Sequence, residues 1–353
     1  MPKKQSLWYT ITHIHNISKA EYVRLIRRIT LFIALGFVGS FIVFFAIAWI
    51  GGISKVLGII ASANLYLYSL AFLSVLGGYM LRFVKWNYYI KSLGMHIPLV
   101  KNLIIYLSLY SMNITPGKLG RVLVAYTLNS VTKKKIANIM PVVTLDIFTD
   151  FLGIGILALL AAIYFHKYVI YAIVIDAVLV LPFLFIVSDW FYNFIKRMIK
   201  SERILKFFTL YGDEYFASQS ALNTPKVYAV SLAVTIPAAF LNAMALYFSL
   251  LAIGFAPHMI GSVFINSSAT IFGMITAIPG NIGVTDGALV ALISTAFNAS
   301  TATSSAITIM TRLATLWFGV IMGGVFLIYS LRYWNSQPVR RKTRRSKVKN
   351  NQK

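Results

Sequence analysis

Long apolar segments constrain this chain more than any other feature. A helix needs about 20 mostly apolar residues to cross roughly 30 Å of hydrocarbon. Six segments meet this requirement and are predicted as spans: 29–50, 57–81, 139–164, 168–188, 226–254 and 303–331. The 353 residues are 58% hydrophobic and 12% charged, which excludes an ordinary soluble domain. We therefore predict an all-α integral membrane protein.

The charge balance, with 33 basic and 9 acidic side chains, predicts the orientation of these spans. In a soluble protein such an excess would favour nucleic-acid binding. Here the basic residues lie beside the apolar segments, in both tails and in 82–101, 133–135 and 189–226. Lys and Arg accumulate in cytoplasmic segments and attract anionic lipid headgroups. We expect both termini in the cytoplasm, membrane lipids as partners and no nucleic-acid partner.

Two further apolar segments, 102–128 and 259–298, are each interrupted by Pro-Gly. The first has basic, predicted cytoplasmic residues at both ends, so a single crossing does not fit it. A re-entrant helical hairpin that enters and leaves on the same side does. Broken backbone at membrane depth is tolerated only where it is buried in protein or lines a cavity. The alternative is a Pro-Gly kink that serves packing alone.

The two breaks also indicate an internal duplication. Both read Pro-Gly-x-x-Gly, and Pro116 and Pro279 are 163 residues apart. Each half has the order span, span, hairpin, span, so three crossings invert the second half relative to the first. Inverted repeats with broken helices are common in transporters, where the substrate binds between the repeats. The predicted organisation is a basic tail, two repeats and a second basic tail: 1–28, 29–164, 165–332 with an amphipathic cytoplasmic segment at 190–225, and 333–353.

Few ionisable residues fall inside the predicted spans, where each costs about 2.5–3.5 kcal/mol and usually serves a function. Asp146 and Asp150 share one helix face, and Arg312 lies at matched depth in the other half. We predict a polar groove between the halves that meets an anionic headgroup; the alternative is a structural Asp150–Arg312 ion pair. The groove candidates are Pro116, Gly117, Lys118, Gly120, Arg121, Asp146, Asp150, Pro279, Gly280, Asn281, Gly283, Asp286 and Arg312.

Several kinds of chemistry are not expected. The chain has no cysteine, and its five histidines lie in tails, loops or span ends, so we expect no metal site. We expect no cofactor, and no phosphate-binding Gly-x-x-x-x-Gly-Lys-Ser/Thr motif is present. Asn113, Asn266 and Asn281 are expected to satisfy backbone groups freed by the breaks, or alternatively to touch substrate. The sequence leaves the oligomeric state open.

A family resemblance follows from these motifs. The second break, Ile278-Pro-Gly-Asn-Ile-Gly-Val-Thr-Asp-Gly-Ala-Leu289, resembles the Pro-Gly-x-x-Gly-x-x-Glu-x-x-Leu stretch of the lysylphosphatidylglycerol synthase transmembrane-region family, which is flippase-like. The segments Asn113–Arg121, Asp146–Asp150 and Thr311–Leu313 look like that family's other motifs. The resemblance covers about residues 25–332.

The resemblance implies a stand-alone member without the synthase domain, in a prokaryotic cell membrane, that moves a lipid or lipid-linked molecule between leaflets and catalyses no reaction. The chain departs from the pattern at Asp286, where Glu is usual, and at Arg121, where an acidic residue is usual. The alternative function is secondary transport of a small anionic solute, which the same architecture serves equally well. A third alternative is an intramembrane enzyme in which Asp146 and Asp150 bind a divalent ion. It is less favoured because no second cluster of metal ligands accompanies these two residues.

Overall fold

The computed structural model describes residues 19–115, 120–164, 170, 197, 202–276 and 278–335. Across these residues the secondary structure is helical, without strands. The α-helices are α1 Lys19–Gly51, α2 Ile53–Ala61, α3 Leu65–Ser92, α4 Leu99–Ser108, α5 Val122–Thr132, α6 Ile136–Tyr164, α7 Glu202–Leu222, α8 Pro225–Ala252, α9 Met259–Ile275, α10 Val284–Phe297, α11 Thr301–Arg312 and α12 Phe318–Asn335. Short 3₁₀ helices cover Leu109–Ile114 and Pro279–Asn281, and one π-helical turn covers Leu313–Trp317.

Six helical segments among the described residues are long and apolar enough to cross a membrane, so the chain is a multi-pass membrane protein. They are Ala34–Gly51, Leu65–Ser92, Ile136–Ile163, Pro225–Ala252, Pro279–Phe297 and Thr301–Ser330. The set differs from the predicted one in a single member. The predicted span 168–188 lies outside the described residues except for residue 170, whereas 279–297 belongs to the predicted second hairpin.

The predicted second span, 57–81, is wrong in its bounds. Residues 53–61 form the separate helix α2, and α3 begins later because the Asn64 side chain accepts hydrogen bonds from the first backbone N–H groups of that helix. The charge pattern assigned Arg82 and Lys85 to a basic segment that follows this span, whereas the helix continues past both residues to Ser92. Both lie inside α3 and are only 6% and 0% exposed. They are tolerated there because buried carboxylates on α6 neutralise them.

Helices α3 and α8 pack closely against each other at the centre of the protein. Each has 28 residues, and their first residues, 65 and 225, are 160 apart. Gly78 and Ala238, also 160 apart, meet where the helices cross. A Cβ at Gly78 would lie 2.9 Å from the carbonyl oxygen of Ala238, so glycine permits this close approach.

The two central helices also end alike. Gly94 and Gly254 follow the last turns of α3 and α8 with φ of 64° and 77°. Glycine adopts this left-handed conformation without a Cβ penalty and closes a helix C-terminus. The next helices, α4 and α9, then begin at Leu99 and Met259, again 160 residues apart.

Each broken segment packs against the other half of the chain. Helix α4 and the 3₁₀ turn 109–114 contact α12, whereas α9 contacts α6. The two 3₁₀ turns, 109–114 and 279–281, contact each other in the middle of the protein. The breaks of the two halves therefore meet, with α5 and α10 continuing the chain beyond them.

The last long helix is not regular. Helices α11 and α12 are joined by the π-helical turn directly after Arg312. The Tyr79 hydroxyl donates to the Thr315 carbonyl oxygen in this turn at 3.2 Å. Single π turns are frequent at functional sites, and this one lies beside the cavity described next.

Candidate functional site

A cavity of about 120 Å³ lies between the two broken segments and the two central helices. This space is enough for several water molecules. Its polar lining comes from both halves of the chain and consists of Tyr79, Arg82, Tyr110, Asn113, Arg121, Asp150, Asn242, Asn266, Thr270, Asn281, Thr285, Arg312 and Thr315. The cavity therefore gathers polar side chains from both halves within a mostly apolar helical protein.

Lys85 joins two carboxylates at one side of this cavity. Its Nζ lies 3.1 Å from Asp146 Oδ1 and 2.8 Å from Asp150 Oδ1, and it donates to Thr149 Oγ1 at 3.0 Å. The side chain is fully buried. A buried ammonium group is tolerated when its three N–H groups have acceptors and counter-charges, and α6 supplies both. The two aspartates share one helix face, as the spacing predicted.

Two arginines complete this first cluster. Arg82 donates from Nε to Asp150 Oδ1 at 3.2 Å, and Arg121 donates from Nη1 to Asp146 Oδ2 at 3.0 Å. The Nε and Nη2 of Arg121 also donate to Asn113 Oδ1, at 3.3 and 2.9 Å. Each carboxylate thus has two cationic partners. We call these five charged residues the α3–α6 network; its three basic and two acidic members sum to +1.

The second charged cluster is smaller and belongs to the second break. Arg312 donates from Nε to Asp286 Oδ1 at 2.8 Å and from Nη2 to the Gly280 carbonyl oxygen at 2.7 Å. The other carboxylate oxygen of Asp286 accepts the Gly283 N–H at 2.7 Å, at the start of α10. Gly280 and Gly283 have φ of 62° and 87°, which favours glycine at both positions. Arg312 therefore fastens α11 to the break itself.

The ion pair between Asp150 and Arg312, left open by the sequence, is not formed. Asp150 binds Arg82 and Lys85, and Arg312 binds Asp286. Each charge has a nearer counter-ion in its own half of the chain. Asp150 and Arg312 instead lie on the lining of one cavity.

The predicted groove residues fall into four groups. Five of them line the cavity: Arg121, Asp150, Gly280, Asn281 and Arg312. Four others hold those residues or the turns around them: Asp146, Gly283 and Asp286 through the bonds above, and Pro279 as the first residue of the second 3₁₀ turn. Gly120 donates its N–H to Thr115 Oγ1 at 2.9 Å beside the first break. Pro116, Gly117 and Lys118 lie outside the described residues.

Sequence reasoning missed Arg82, Lys85 and Asn242. One signal was available for the two basic residues. They lie three positions apart on one face of α3, just as the two aspartates lie four positions apart on one face of α6, so two basic residues were available to pair with two acidic ones. Asn242 lies 160 residues after Arg82, the spacing that relates α3 to α8. Asn113, expected to satisfy backbone groups or to touch substrate, lines the cavity and accepts hydrogen bonds from the Arg121 side chain rather than from backbone groups.

The lining charges favour an anion. Three arginines and one aspartate face the cavity, each at most 7% exposed. The hydroxyl of Thr285 is buried and has no hydrogen-bond partner within the described residues. Guanidinium groups bind oxyanions strongly where water is scarce. In the described part of the chain, no group of three or more His, Asp or Glu side chains converges as a metal site would require.

The family model for the lysylphosphatidylglycerol synthase TM region matches residues 31–323. The match includes both breaks, the α3–α6 network and the Asp286–Arg312 pair, and no synthase domain is matched. No curated protein matches the chain.

Proposed function

The chain belongs to the lysylphosphatidylglycerol synthase TM region family, and on that premise we propose that it moves a lipid, or a lipid-linked molecule, with an anionic headgroup between the leaflets of a prokaryotic cell membrane. One observation carries the proposal: a cavity lined by three arginines from both halves lies between the two broken segments. Charged groups inside a membrane protein usually mark a substrate path.

The proposed architecture is a pair of inverted repeats with two re-entrant hairpins and both termini in the cytoplasm. It is supported by the equal lengths of α3 and α8 and by their crossing at Gly78 and Ala238. It is supported further by the reciprocal contacts of α4 with α12 and of α9 with α6. A two-fold relation between the halves accounts for all of these features, and it puts the substrate site on the symmetry axis.

The proposed mechanism uses the cavity as a stopping point for the headgroup. Arginine side chains replace the water that hydrates its negative charge, while the acyl chains remain in lipid. Rocking of one half against the other across the α3–α8 contact then exposes the cavity to the opposite leaflet. The mechanism requires no chemical change in the substrate, so no catalytic reaction is proposed.

A leaflet-resolved assay tests this function. Purified chain is reconstituted in phosphatidylcholine vesicles that carry fluorescent phosphatidylglycerol, and a membrane-impermeant quencher reports the fraction of label in the outer leaflet over time. We expect faster equilibration between leaflets with the chain than in protein-free vesicles, and slower equilibration with Arg312→Gln. Equal rates in vesicles with and without the chain would overturn the proposal.

The re-entrant arrangement has its own test, since the chain contains no native cysteine. Single cysteines at His96 and Lys133, both exposed, flank the first broken segment; single cysteines at Ala256 and Ser300 flank the second. An impermeant thiol reagent should label the first pair from one side of the membrane and the second pair from the other. Labelling of the His96 and Lys133 positions from different sides would contradict the hairpin.

Transport of a small anionic solute is the second candidate. It is favoured by the modest size of the cavity and by the deep burial of its charged lining. In the same vesicles it predicts uptake of a soluble anion with no change in the leaflet distribution of the lipid. The two readouts therefore separate the candidates.

A further inference from the structure

The three arginines of the cavity differ in how many of their nitrogens are already bonded. All three side-chain nitrogens of Arg121 donate, to Asp146 and Asn113. Arg312 uses two, on Asp286 and Gly280. Arg82 uses only Nε, on Asp150, and its two terminal nitrogens have no acceptor among the described residues. Arg82 therefore retains the largest unused capacity to bind an anion.

The position of Arg82 directs this capacity into the cavity. Arg82 lies on α3 and faces the lining together with Asn242 of α8, the residue 160 positions later. One turn before it, Gly78 lets Arg82 Nη1 lie beside the crossing of α3 and α8, since a Cβ there would lie 3.4 Å from that nitrogen. Thr285, whose hydroxyl is buried and without a partner in the described part, also contributes to the lining. The cavity thus offers donors on both sides of one small volume.

The charges that the described residues place around the cavity limit what it binds. The α3–α6 network and the Asp286–Arg312 pair contain four basic and three acidic residues, a sum of +1. Uncompensated charge is costly in a buried site. One negative charge on the ligand brings the sum to zero, whereas two leave it at −1. The site is balanced for a monoanion.

Building on the proposed function, we propose that Arg82 is the anion-binding residue of this cavity and that the site selects a singly charged phosphodiester over a doubly charged phosphomonoester. The free edge of the guanidinium group holds two phosphate oxygens side by side. Asn242 donates to an oxygen that remains. The phosphodiester is either part of a lipid headgroup or a soluble compound, and the experiment separates these sources.

Binding is tested first with soluble probes on the purified full chain in detergent at pH 8. Dimethyl phosphate carries one negative charge; methyl phosphate carries nearly two, because its second pKa is about 6. The rise in melting temperature with probe concentration measures affinity. We expect dimethyl phosphate to bind about tenfold more tightly than methyl phosphate. Equal affinity, or tighter binding of methyl phosphate, would overturn the charge selection.

The role of Arg82 is tested with three variants. Arg82→Gln should weaken dimethyl phosphate binding about tenfold or more, the usual effect of losing a charge-assisted hydrogen bond. It should still fold, because Asp150 keeps Lys85 as a partner at 2.8 Å. Arg82→Gln with Asp150→Asn restores the net charge without the guanidinium group and should bind as weakly as the single variant. The exposed Lys91→Gln, which removes a charge from the same helix, should leave affinity unchanged.

Two results would refute the role of Arg82: full binding by Arg82→Gln, or recovery of binding in the double variant, which would show that net charge alone matters. The leaflet assay with fluorescent phosphatidylglycerol then identifies the source of the phosphodiester. Probe binding that depends on Arg82 without lipid movement supports the inference and defeats the translocation proposal. Lipid movement that is equally fast with Arg82→Gln defeats the inference and leaves translocation standing.

Discussion

The two breaks meet at one cavity but are stabilised in different ways. The first lies beside the α3–α6 network, in which Lys85 bridges two carboxylates and each carboxylate has a second cationic partner. At the second, Asp286 has Arg312 as its cationic partner, and the same arginine binds the carbonyl oxygen of the turn. The first cluster therefore has alternative partners for each charge, and the second depends on one side chain.

This difference has a consequence for both stability and function. Removing one partner of a buried pair leaves an uncompensated charge, whereas removing one member of a shared network leaves the others paired. The second half is thus the sensitive side of the cavity. The first half can direct a guanidinium group toward a ligand because Lys85 already neutralises much of the charge on Asp150. The following substitutions test this contrast.

The largest effect is expected for Arg312→Met. It leaves Asp286, which is fully buried, without its counter-ion and frees the Gly280 carbonyl oxygen. We expect a loss of about 3–5 kcal/mol in the free energy of unfolding, the range for a buried pair that loses one partner. Denaturant unfolding in mixed micelles measures it.

The control for this prediction is the double variant Arg312→Met with Asp286→Leu. Replacing a whole buried pair with apolar residues is often close to neutral, so the double variant should recover most of the lost stability. If the double variant is as unstable as Arg312→Met, the cost does not arise from an unpaired charge.

Lys85→Met should cost less, about 2–3 kcal/mol, although Lys85 makes more contacts than Arg312. The variant loses charge-assisted hydrogen bonds, yet Asp146 keeps Arg121 and Asp150 keeps Arg82. The same unfolding measurement compares the two variants directly. A larger loss for Lys85→Met than for Arg312→Met would show that the network is not redundant and would reverse the comparison.

The membrane class and the breaks could be predicted because they depend on local sequence. Apolar length predicts a span, and Pro-Gly predicts a break wherever it occurs. The charge partners could not be predicted this way. Arg82 and Lys85 lie within nine residues of Lys91 on the same helix, and only the packing of α3 against α6 distinguishes the two buried residues from the exposed one. From sequence alone, a basic residue beside a span is predicted to be cytoplasmic. Only the structure shows that a buried carboxylate pairs with it.

The pairing of Arg312 shows the same limit of predicting charge partners from sequence. Its depth in the last span matched that of Asp150, which made the two a reasonable pair across the halves. The structure brings both to one cavity and pairs each with a residue of its own half. Depth along a helix is readable from sequence, but the rotation of a helix toward one neighbour or another is set by packing.

A smaller effect is expected for Arg121→Gln, at about 1 kcal/mol. Asp146 retains Lys85 at 3.1 Å, and the glutamine amide can still donate one hydrogen bond. The change also removes a basic residue from the lining, so the net charge near the cavity falls to zero. Probe binding should therefore weaken while the free energy of unfolding changes little. A loss of stability as large as that of Arg312→Met would contradict the shared network.

An effect of similar size is expected for Asp286→Glu, which restores the residue usual at this position of the motif. Both bonds of the aspartate remain available to a glutamate, because the residue occupies the third position of α10 and accepts the Gly283 N–H, a contact that Glu makes readily at helix starts. The added methylene must fit a fully buried site, a cost of about 1 kcal/mol. The matched change Asp150→Glu, on the cavity wall, has open space beside it and should cost still less. If Asp286→Glu instead lowers stability as much as Arg312→Met, the second break has no room to adjust. Its single ion pair would then be a geometric requirement and not only an electrostatic one.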